Sequence, residues 1–327
     1  MFRWGILSTA KIAREHVIPA IHQSQNGVVA GIASRDEARA REVAARYQIP
    51  QVFGSYDAML QSDEIDGVYI AVTTGQHVEW TLAAIAAGKA VLCEKPLALH
   101  ADDVARIAEA AQRAGVKVVE AFMVHYHPQW RRVREWVAEA AIGELKLVQG
   151  AFSYSNRDPH NMRNRPELGG GAVPDIGVYP LVTTRLVSGR EPETVAASVE
   201  RDPDFGTDRF ASVQMAFPGF DLQFYVSSQM HLCQSMHFAG TDGWIRVDAP
   251  FNAGNYGHAV VRLHTPRGEL VERFAVNQYT LQAEAFVDAV TGGDDRCFTL
   301  EDSLHNQRAI DAIYRAAASG LRESVAG

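Results

Sequence analysis

Near the start of this chain, an apolar segment leads into Gly5-Ile6-Leu7-Ser8-Thr9-Ala10-Lys11-Ile12-Ala13, which runs without a break into a helical pattern. No other stretch constrains the fold as much, because this strand–turn–helix start is the layout of a dinucleotide-binding unit. The glycine fingerprint is degraded. Ser8, Ala10 and Ala13 stand where G-x-G-x-x-G/A carries Gly, Gly and Gly or Ala. Small side chains are nevertheless kept, and size is the physical requirement: backbone N–H groups must approach a pyrophosphate that the helix N-terminus faces. An ordinary tight βα turn has the same outline, so the rest of the chain has to decide between the two.

Residues 1–122 continue the alternation. Short apolar runs at Trp4–Leu7, Gly27–Ala33, Gln51–Phe53, Asp66–Val72, Ala90–Cys93 and Val116–Phe122 read as strands. Helical patterns at Lys11–Gln23, Asp36–Tyr47, Ser55–Gln61, Gln76–Ala87 and Ala101–Ala114 separate them, the last two followed by Gly88 and Gly115. Strands alternating with helices imply an α/β domain with a parallel, doubly wound sheet, that is, a Rossmann domain. Over 123–327 the grammar changes. After a helix at Pro128–Ala141, strands dominate: Leu145–Tyr154, Thr194–Arg201, Arg209–Phe217, Phe220–Ser228, Ser235–Ala239, Trp244–Val247, Val260–Thr265 and Leu270–Val276. Turn signals such as Pro218-Gly219 and Asp242-Gly243 lie between them, and helices at Thr280–Val290 and Glu301–Ala318 follow. The expected second domain is α+β with a large, mainly antiparallel sheet that binds substrate and builds the oligomer.

Composition narrows the ligands. A formal net charge of −8 argues against nucleic acid and anionic membranes as partners. It leaves room for an anionic small molecule, which needs only a local cluster of amides and cations. The three cysteines, Cys93, Cys233 and Cys297, lie far apart with no metal-ligand spacing, so neither a disulfide framework nor a metal site is expected and the reducing cytoplasm is the default location. Met1-Phe2-Arg3-Trp4 leads straight into the first strand, so no signal peptide is expected. No apolar run approaches the roughly 20 residues of a membrane span.

Further signals point to a nicotinamide cofactor. In NAD-binding units the second strand usually ends in an acid that takes the ribose hydroxyls. Here Ser34-Arg35 follows the strand, so a carboxylate that would repel a 2′-phosphate is missing and a cation that pairs with one is present. NADP is therefore expected over NAD, with NAD left open because Asp36 comes next. The fourth strand runs into Thr73-Thr74-Gly75-Gln76-His77, which places hydroxyls at the ligand edge of an open sheet and His77 in the next helical turn. The fifth runs into Glu94-Lys95-Pro96. A lysine just beyond a buried strand, at that edge, can shuttle protons if it is partly desolvated. A surface Glu–Lys pair is the plainer reading of the same residues.

The degraded fingerprint, Glu94-Lys95-Pro96, Ala121-Phe122-Met123 with His127-Pro128, and Gly169-Gly170-Gly171-Ala172-Val173-Pro174-Asp175-Ile176-Gly177-Val178-Tyr179 together resemble the glucose–fructose oxidoreductase / inositol dehydrogenase (Gfo/Idh/MocA) family. The resemblance spans nearly the whole chain. It is strongest to the branch of dimeric dihydrodiol dehydrogenases, sugar 1-dehydrogenases and anhydrosugar reductases, which carries Tyr four residues after the Asp. It implies a dehydrogenase or reductase that moves a hydride between a nicotinamide and a sugar, cyclic polyol or dihydrodiol. Lys95, Asp175 and Tyr179 are the implied catalytic residues, and which of Lys95 and Tyr179 transfers the proton stays open. Ser8, Thr9, Ala10, Lys11, Ile12, Ser34, Arg35, Thr73, Thr74, His77, Glu94 and Lys95 form the expected cofactor set. His127, Tyr154 and Arg163 are expected to touch substrate, within a polar stretch that also holds Tyr126, Arg157, Asn161 and Arg165. The glycines at 169–171 suit close backbone approach to ligand. Because Pro180 fits only the first turn of a helix, the helix carrying Tyr179 is expected to begin near Gly177, with Asp175 before it.

Two other uses of the same fold remain open: a dinucleotide-binding regulator without turnover and an NAD-dependent glycosidase. The alternation of Phe220, Leu222, Phe224 and Val226 with Asp221, Gln223, Tyr225 and Ser227 leaves one face of the second sheet apolar and the other mixed. Relatives build dimers or tetramers on this sheet, so a homodimer or homotetramer is expected.

Overall fold

The computed structural model describes residues Met1–Ala326. The chain forms two compact units. One comprises Met1–Met123 with Asn277–Leu304, and the other Val124–Val276 with the residues from His305 onward.

The first unit is built on six strands: β1 (Phe2–Leu7), β2 (Gly27–Ala33), β3 (Gln51–Phe53), β4 (Gly67–Ile70), β5 (Ala90–Cys93) and β6 (Val118–Glu120). All pair in parallel, in the order β3-β2-β1-β4-β5-β6. Every residue of β4 and β5 is buried, as a parallel sheet covered on both faces requires. The covering helices are α1 (Ile18–Gln23), α2 (Glu37–Tyr47), α3 (Tyr56–Leu60), α4 (His77–Ala86) and α5 (Ala101–Ala114). Helix α5 shows how they sit. Val104, Ile107 and Ala111 recur at helical spacing and are buried, and Gly115 ends the helix at φ +65°. A widened π-helical turn, Ala13–Val17, precedes α1, just before Pro19.

The second unit opens with α6 (Pro128–Ala138) and continues into a nine-stranded sheet. Its strands are β7 (Leu145–Ser155), β8 (Thr194–Arg201), β9 (Asp208–Phe217), β10 (Phe220–Ser227), β11 (Gln229–Gly240), β12 (Trp244–Val247), β13 (Ala259–Thr265), β14 (Gly268–Phe274) and β15 (Glu323–Ser324). The order is β14-β13-β12-β11-β7-β10-β9-β8-β15, antiparallel except where β10 runs parallel to β7. Helix α7 (Val178–Ser188) lies on the buried face. A Cβ on Gly150 of β7 would come within 3.0 Å of Pro180, so the glycine lets the helix settle onto the strand. Phe220, Leu222, Phe224 and Val226 point into this core. On the other face Trp244 packs between His237 and His264, with ring centroids 5.6 and 5.0 Å away, and Phe210 stacks on Tyr225.

The first crossing between the units, after Met123, falls within a residue of the expected break, but the chain then returns to the first unit over Asn277–Leu304. Helix α8 (Gln278–Val290) and the start of α9 (Leu300–Ser319) belong to the first unit. Phe286 of α8 is fully buried, with its ring 4.9 Å from that of Trp4 and 6.0 Å from that of Phe2. Asn26 donates to the Glu284 carbonyl and the Asp288 carboxylate at 2.9 and 2.8 Å. The aromatic start of β1 is thus covered by a helix more than 250 residues later in the chain.

Candidate active site

Parallel pairing brings the C-terminal ends of β1, β2, β4 and β5 to one edge of the sheet, where Ser8, Ser34, Thr73 and Glu94-Lys95 leave their strands. Ser8 has φ +93°, a left-handed conformation that costs a non-glycine residue on the order of 1–3 kcal/mol. The turn is held by the Ser8 N–H donating to the Ala33 carbonyl at 2.8 Å and the Ala10 N–H donating to the Ser8 hydroxyl at 3.1 Å. Lys11 and Ile12 open the following helix, where first-turn N–H groups have no intrahelical acceptor. Thr9 is buried and the exposed Lys11 ammonium lies 3.7 Å from Glu15. Small side chains, a left-handed first residue and a helix N-terminus at a strand end fit a pyrophosphate.

Arg35 is exposed at the end of β2. The neighbouring Asp36 carboxylate caps α2, accepting the Arg39 N–H at 3.1 Å, while the Asp36 N–H donates to Ser34 Oγ at 3.2 Å. The acid that clouded the cofactor reading is therefore committed to a helix cap. Tyr56, which sequence reasoning missed, lies beside the Ser8 side chain and the Arg35 backbone, its pKa raised by burial. At the end of β4 the Thr73 hydroxyl donates to Gln76 Oε1 at 3.1 Å, and Thr74 is buried.

His77 departs from its expected role in binding the cofactor. It is 2% exposed, with Nδ1 2.8 Å from the Pro96 carbonyl and Nε2 3.2 Å from the Val72 carbonyl. With both ring nitrogens at backbone carbonyls, neither remains for a ligand. The ring fastens the turn after β4 to the Lys95 loop.

That loop, whose Lys95–Pro96 peptide is cis, is also held by Glu120 at the end of β6, a buried carboxylate that accepts the Leu97 N–H at 2.8 Å. Glu94 accepts from the Tyr69 hydroxyl, whose pKa is driven well up by burial and by the Glu94 charge. Burial and the same charge raise Tyr279 at the start of α8, and His16 stacks on that ring at 5.0 Å. Glu120, Tyr69 and Tyr279 carry no motif, and only their packing shows their place.

In the second unit, Asp175 and Tyr179 sit on one continuous helix, a correction to the expected start near Gly177. A π-helical turn, Val173–Gly177, runs directly into α7. The wider turn just before Pro180 accommodates a residue that has no N–H to donate and whose ring crowds the preceding turn. The glycines at 169–171 are expected to allow close backbone approach to a ligand, but at Gly170 and Gly171 the space a side chain would need is taken by the chain itself. A Cβ on Gly170 would meet the Met162 and Arg163 carbonyl oxygens at 2.5 Å. Gly171, at φ +139°, has Asp208 Oδ1 2.1 Å from where a Cβ would stand. Asp208, at the start of β9, accepts the Val173 N–H at 2.7 Å and the Tyr314 hydroxyl at 2.9 Å, and burial raises its pKa.

Asp175 Oδ2 accepts two side-chain hydrogen bonds, from the Tyr154 hydroxyl at 2.6 Å and from Arg163 Nε at 2.7 Å. Tyr179 is buried, its ring 5.7 Å from Phe152 and 5.3 Å from Phe251. Of the residues expected to touch substrate, Tyr154 and Arg163 thus converge on Asp175. His127 instead caps α6. Its Nδ1 accepts the Gln129 N–H at 3.1 Å, the ring is 1% exposed, and burial depresses its pKa to about 4. In the polar stretch, Asn161 accepts the Arg163 N–H and Arg165 pairs with Glu167.

Comparison with known proteins agrees with both units. Residues 2–122 match the model of an oxidoreductase family with an NAD-binding Rossmann fold, and residues 130–246 match the GFO/IDH/MocA C-terminal domain. The fold and the matched segments define a nicotinamide-dependent oxidoreductase. Among curated relatives, D-xylose 1-dehydrogenase (NADP(+)) 2 of Haloferax volcanii is 37% identical over 97% of this chain and 98% of its own. A solved aldose-aldose oxidoreductase from Caulobacter crescentus, complexed with glycerol, superposes with a TM-score of 0.92 at 25% identity, covering 99% of each chain. A 3-ketoreductase from Actinomadura kijaniata, solved with NADP and TDP-benzene, gives a TM-score of 0.90 at 28% identity over 96% of this chain and 97% of its own. The chain belongs to the Gfo/Idh/MocA oxidoreductase family.

Proposed function

We propose that this chain is an NADP-dependent dehydrogenase or reductase acting on a carbinol or keto group of a sugar, cyclic polyol or dihydrodiol. The observation that carries the reading is the paired anchoring of the chemistry. Lys95 sits in a loop pinned by Glu120 and His77, and Asp175 shares one helix with Tyr179 under the grip of Tyr154 and Arg163. Preference for NADP rests on the exposed Arg35, with the adjacent Asp36 committed to its cap. The Haloferax volcanii relative is named for the same cofactor.

When bound, the nicotinamide supplies the hydride acceptor or donor. The protein's residues handle the accompanying proton. Tyr179 gives its hydroxyl proton to the substrate oxygen or takes one from it. A free tyrosine, with a pKa near 10, is a poor base, and an ammonium beside it would favour the phenolate, which is the role we give Lys95. Asp175 orients the oxygen that reacts.

We also assign a homodimer or homotetramer to the open face of the second sheet, where Trp244, His237, His264, Phe210 and Tyr225 lie. A monomer by light scattering at micromolar concentration would overturn that assignment. The three free thiols support a reducing, cytoplasmic setting, and no helix among the described residues is long and apolar enough to cross a membrane.

Titration of NADPH and NADH against protein fluorescence, followed by a screen of aldoses and cyclic diols, tests the catalytic reading. Lys95→Met and Tyr179→Phe should each lower kcat by about 10²–10⁴ while NADPH still binds. Near-normal turnover in both would sink the assigned roles.

A further inference from the structure

We propose that Tyr154 and Arg163 are positioning residues: together they hold Asp175 as a carboxylate by its Oδ2 edge, so that Asp175 orients the reacting oxygen and donates no proton to it. The proposal rests on the oxidoreductase reading above and adds to it the state and the fixation of Asp175.

Three separate elements converge here. Tyr154 comes from β7, Arg163 from the short turn Met162–Asn164, and Asp175 from the π-helical turn that leads into α7. Both donors, at 2.6 and 2.7 Å, reach the same oxygen and so set the plane of the carboxylate. The Asp175 side chain is only 13% exposed. A carboxyl this buried and alone would favour its neutral form, and a guanidinium with a donated hydroxyl reverses that preference. Among the charged and titratable groups that act on this cluster are Tyr154, Arg163, Tyr179 and, from β9, Asp208. Asp175 pushes Arg163 further up, and burial and then Asp175 push Tyr154 up, so neither donor titrates in the working range.

The glycine segment serves the same end. Gly170 lacks the Cβ that would strike the Met162 and Arg163 carbonyls, and its N–H donates to the Arg165 carbonyl at 3.1 Å. Asn161 caps the turn by accepting the Arg163 N–H at 3.1 Å. The backbone of Arg163 is therefore seated against the strand of glycines that enters the catalytic helix.

The test compares Tyr154→Phe and Arg163→Gln, alone and combined with Asp175→Asn. Each single change should lower kcat about 10–100-fold, the range for losing a hydrogen bond to a charged group, with substrate KM and the NADPH Kd little altered. The acid limb of the kcat profile should move to higher pH. In the Asp175→Asn background both changes should lose most of their effect, because they act through that residue. A rise in KM at unchanged kcat, or effects that multiply in the double variants, would make the pair substrate ligands and overturn the proposal. Gly170→Ala, which removes no donor but displaces the Arg163 turn, should reproduce the same kcat loss. A readout independent of turnover is the carbon-13 titration of the Asp175 carboxyl, identified by its loss in Asp175→Asn. It should shift upward by about one pH unit or more in Arg163→Gln, and an unmoved titration overturns the proposal even with no substrate known. Turnover lost in Lys95→Met but intact in Tyr154→Phe and Arg163→Gln would refute the positioning role alone.

Discussion

The Asp208 carboxylate accepts the Val173 N–H at 2.7 Å, so a strand of the second sheet caps the helix that carries Asp175 and Tyr179. Gly171 makes the approach possible, since any side chain there would stand 2.1 Å from Asp208 Oδ1. Asp208→Ala should cost about 1–3 kcal/mol of stability by orphaning the Val173 N–H and the Tyr314 hydroxyl, and should lower kcat more than it weakens NADPH binding. Gly171→Ala should be at least as damaging, because φ +139° and the clash act together. Urea unfolding midpoints with kcat measured on the folded fraction decide this. Wild-type stability in Gly171→Ala would show that the turn relaxes freely.

Cofactor choice is expected to turn on Arg35. Arg35→Asp places a carboxylate at the end of β2, and NADP⁺ should weaken relative to NAD⁺ by about 10-fold or more. Parallel Kd titrations with both cofactors measure the ratio. An unchanged ratio would show that Arg35 does not read the 2′-phosphate.

Two buried imidazoles make stability depend on pH. Burial lowers the pKa of His77 and brings that of His127 from 6.5 to about 4. Below pH 6.5 the unfolded chain binds protons that the folded chain refuses, so stability from both groups is full above that pH and is lost below it, for His127 as pH falls toward about 4. His127→Asn keeps an acceptor at the helix cap but does not titrate, and its Tm should fall less steeply over that window than that of the wild type. Identical slopes would assign the pH dependence elsewhere.

Helix α8 is expected to support the first unit energetically. Phe286→Ala should destabilise by about 3–5 kcal/mol, as large-to-small changes at fully buried aromatics do. Denaturation followed by Trp4 fluorescence, in a background with the other tryptophans replaced, reads the unit directly. A loss below about 1 kcal/mol would mean that Trp4 and Phe2 repack without it.

Much of this architecture is legible in the residues because its signals are local. Short apolar runs, with Gly88 and Gly115 as helix stops, place six parallel strands and most helices, and Pro218-Gly219 and Asp242-Gly243 punctuate the second sheet. The two-residue β15 is too short for any period to reveal. Pro180 is informative but ambiguous: a proline in a helical pattern marks either a start or a widened turn, and here, as at Pro19, the turn widens. What stays hidden depends on partners remote in sequence. Glu120 acts on Leu97, Asp208 on Val173 and Tyr154 on Asp175, and none of these pairs has a spacing that distinguishes it from a surface residue and an accident. His77 and His127 look like ligand-side histidines because a motif shows their position along the chain and not the carbonyls or N–H groups around their rings.

The return of α8 to the first unit has a consequence for synthesis. A ribosome releases β1 early, yet the aromatic residues at its start meet Phe286 only after more than 280 further residues have emerged. The cofactor-binding unit is therefore begun first and completed only once the chain has passed Leu304. A nascent chain arrested before that point carries the turn at Ser8 on a sheet whose aromatic end has no cover, and exposed apolar surface of that kind is what chaperones and proteases recognise.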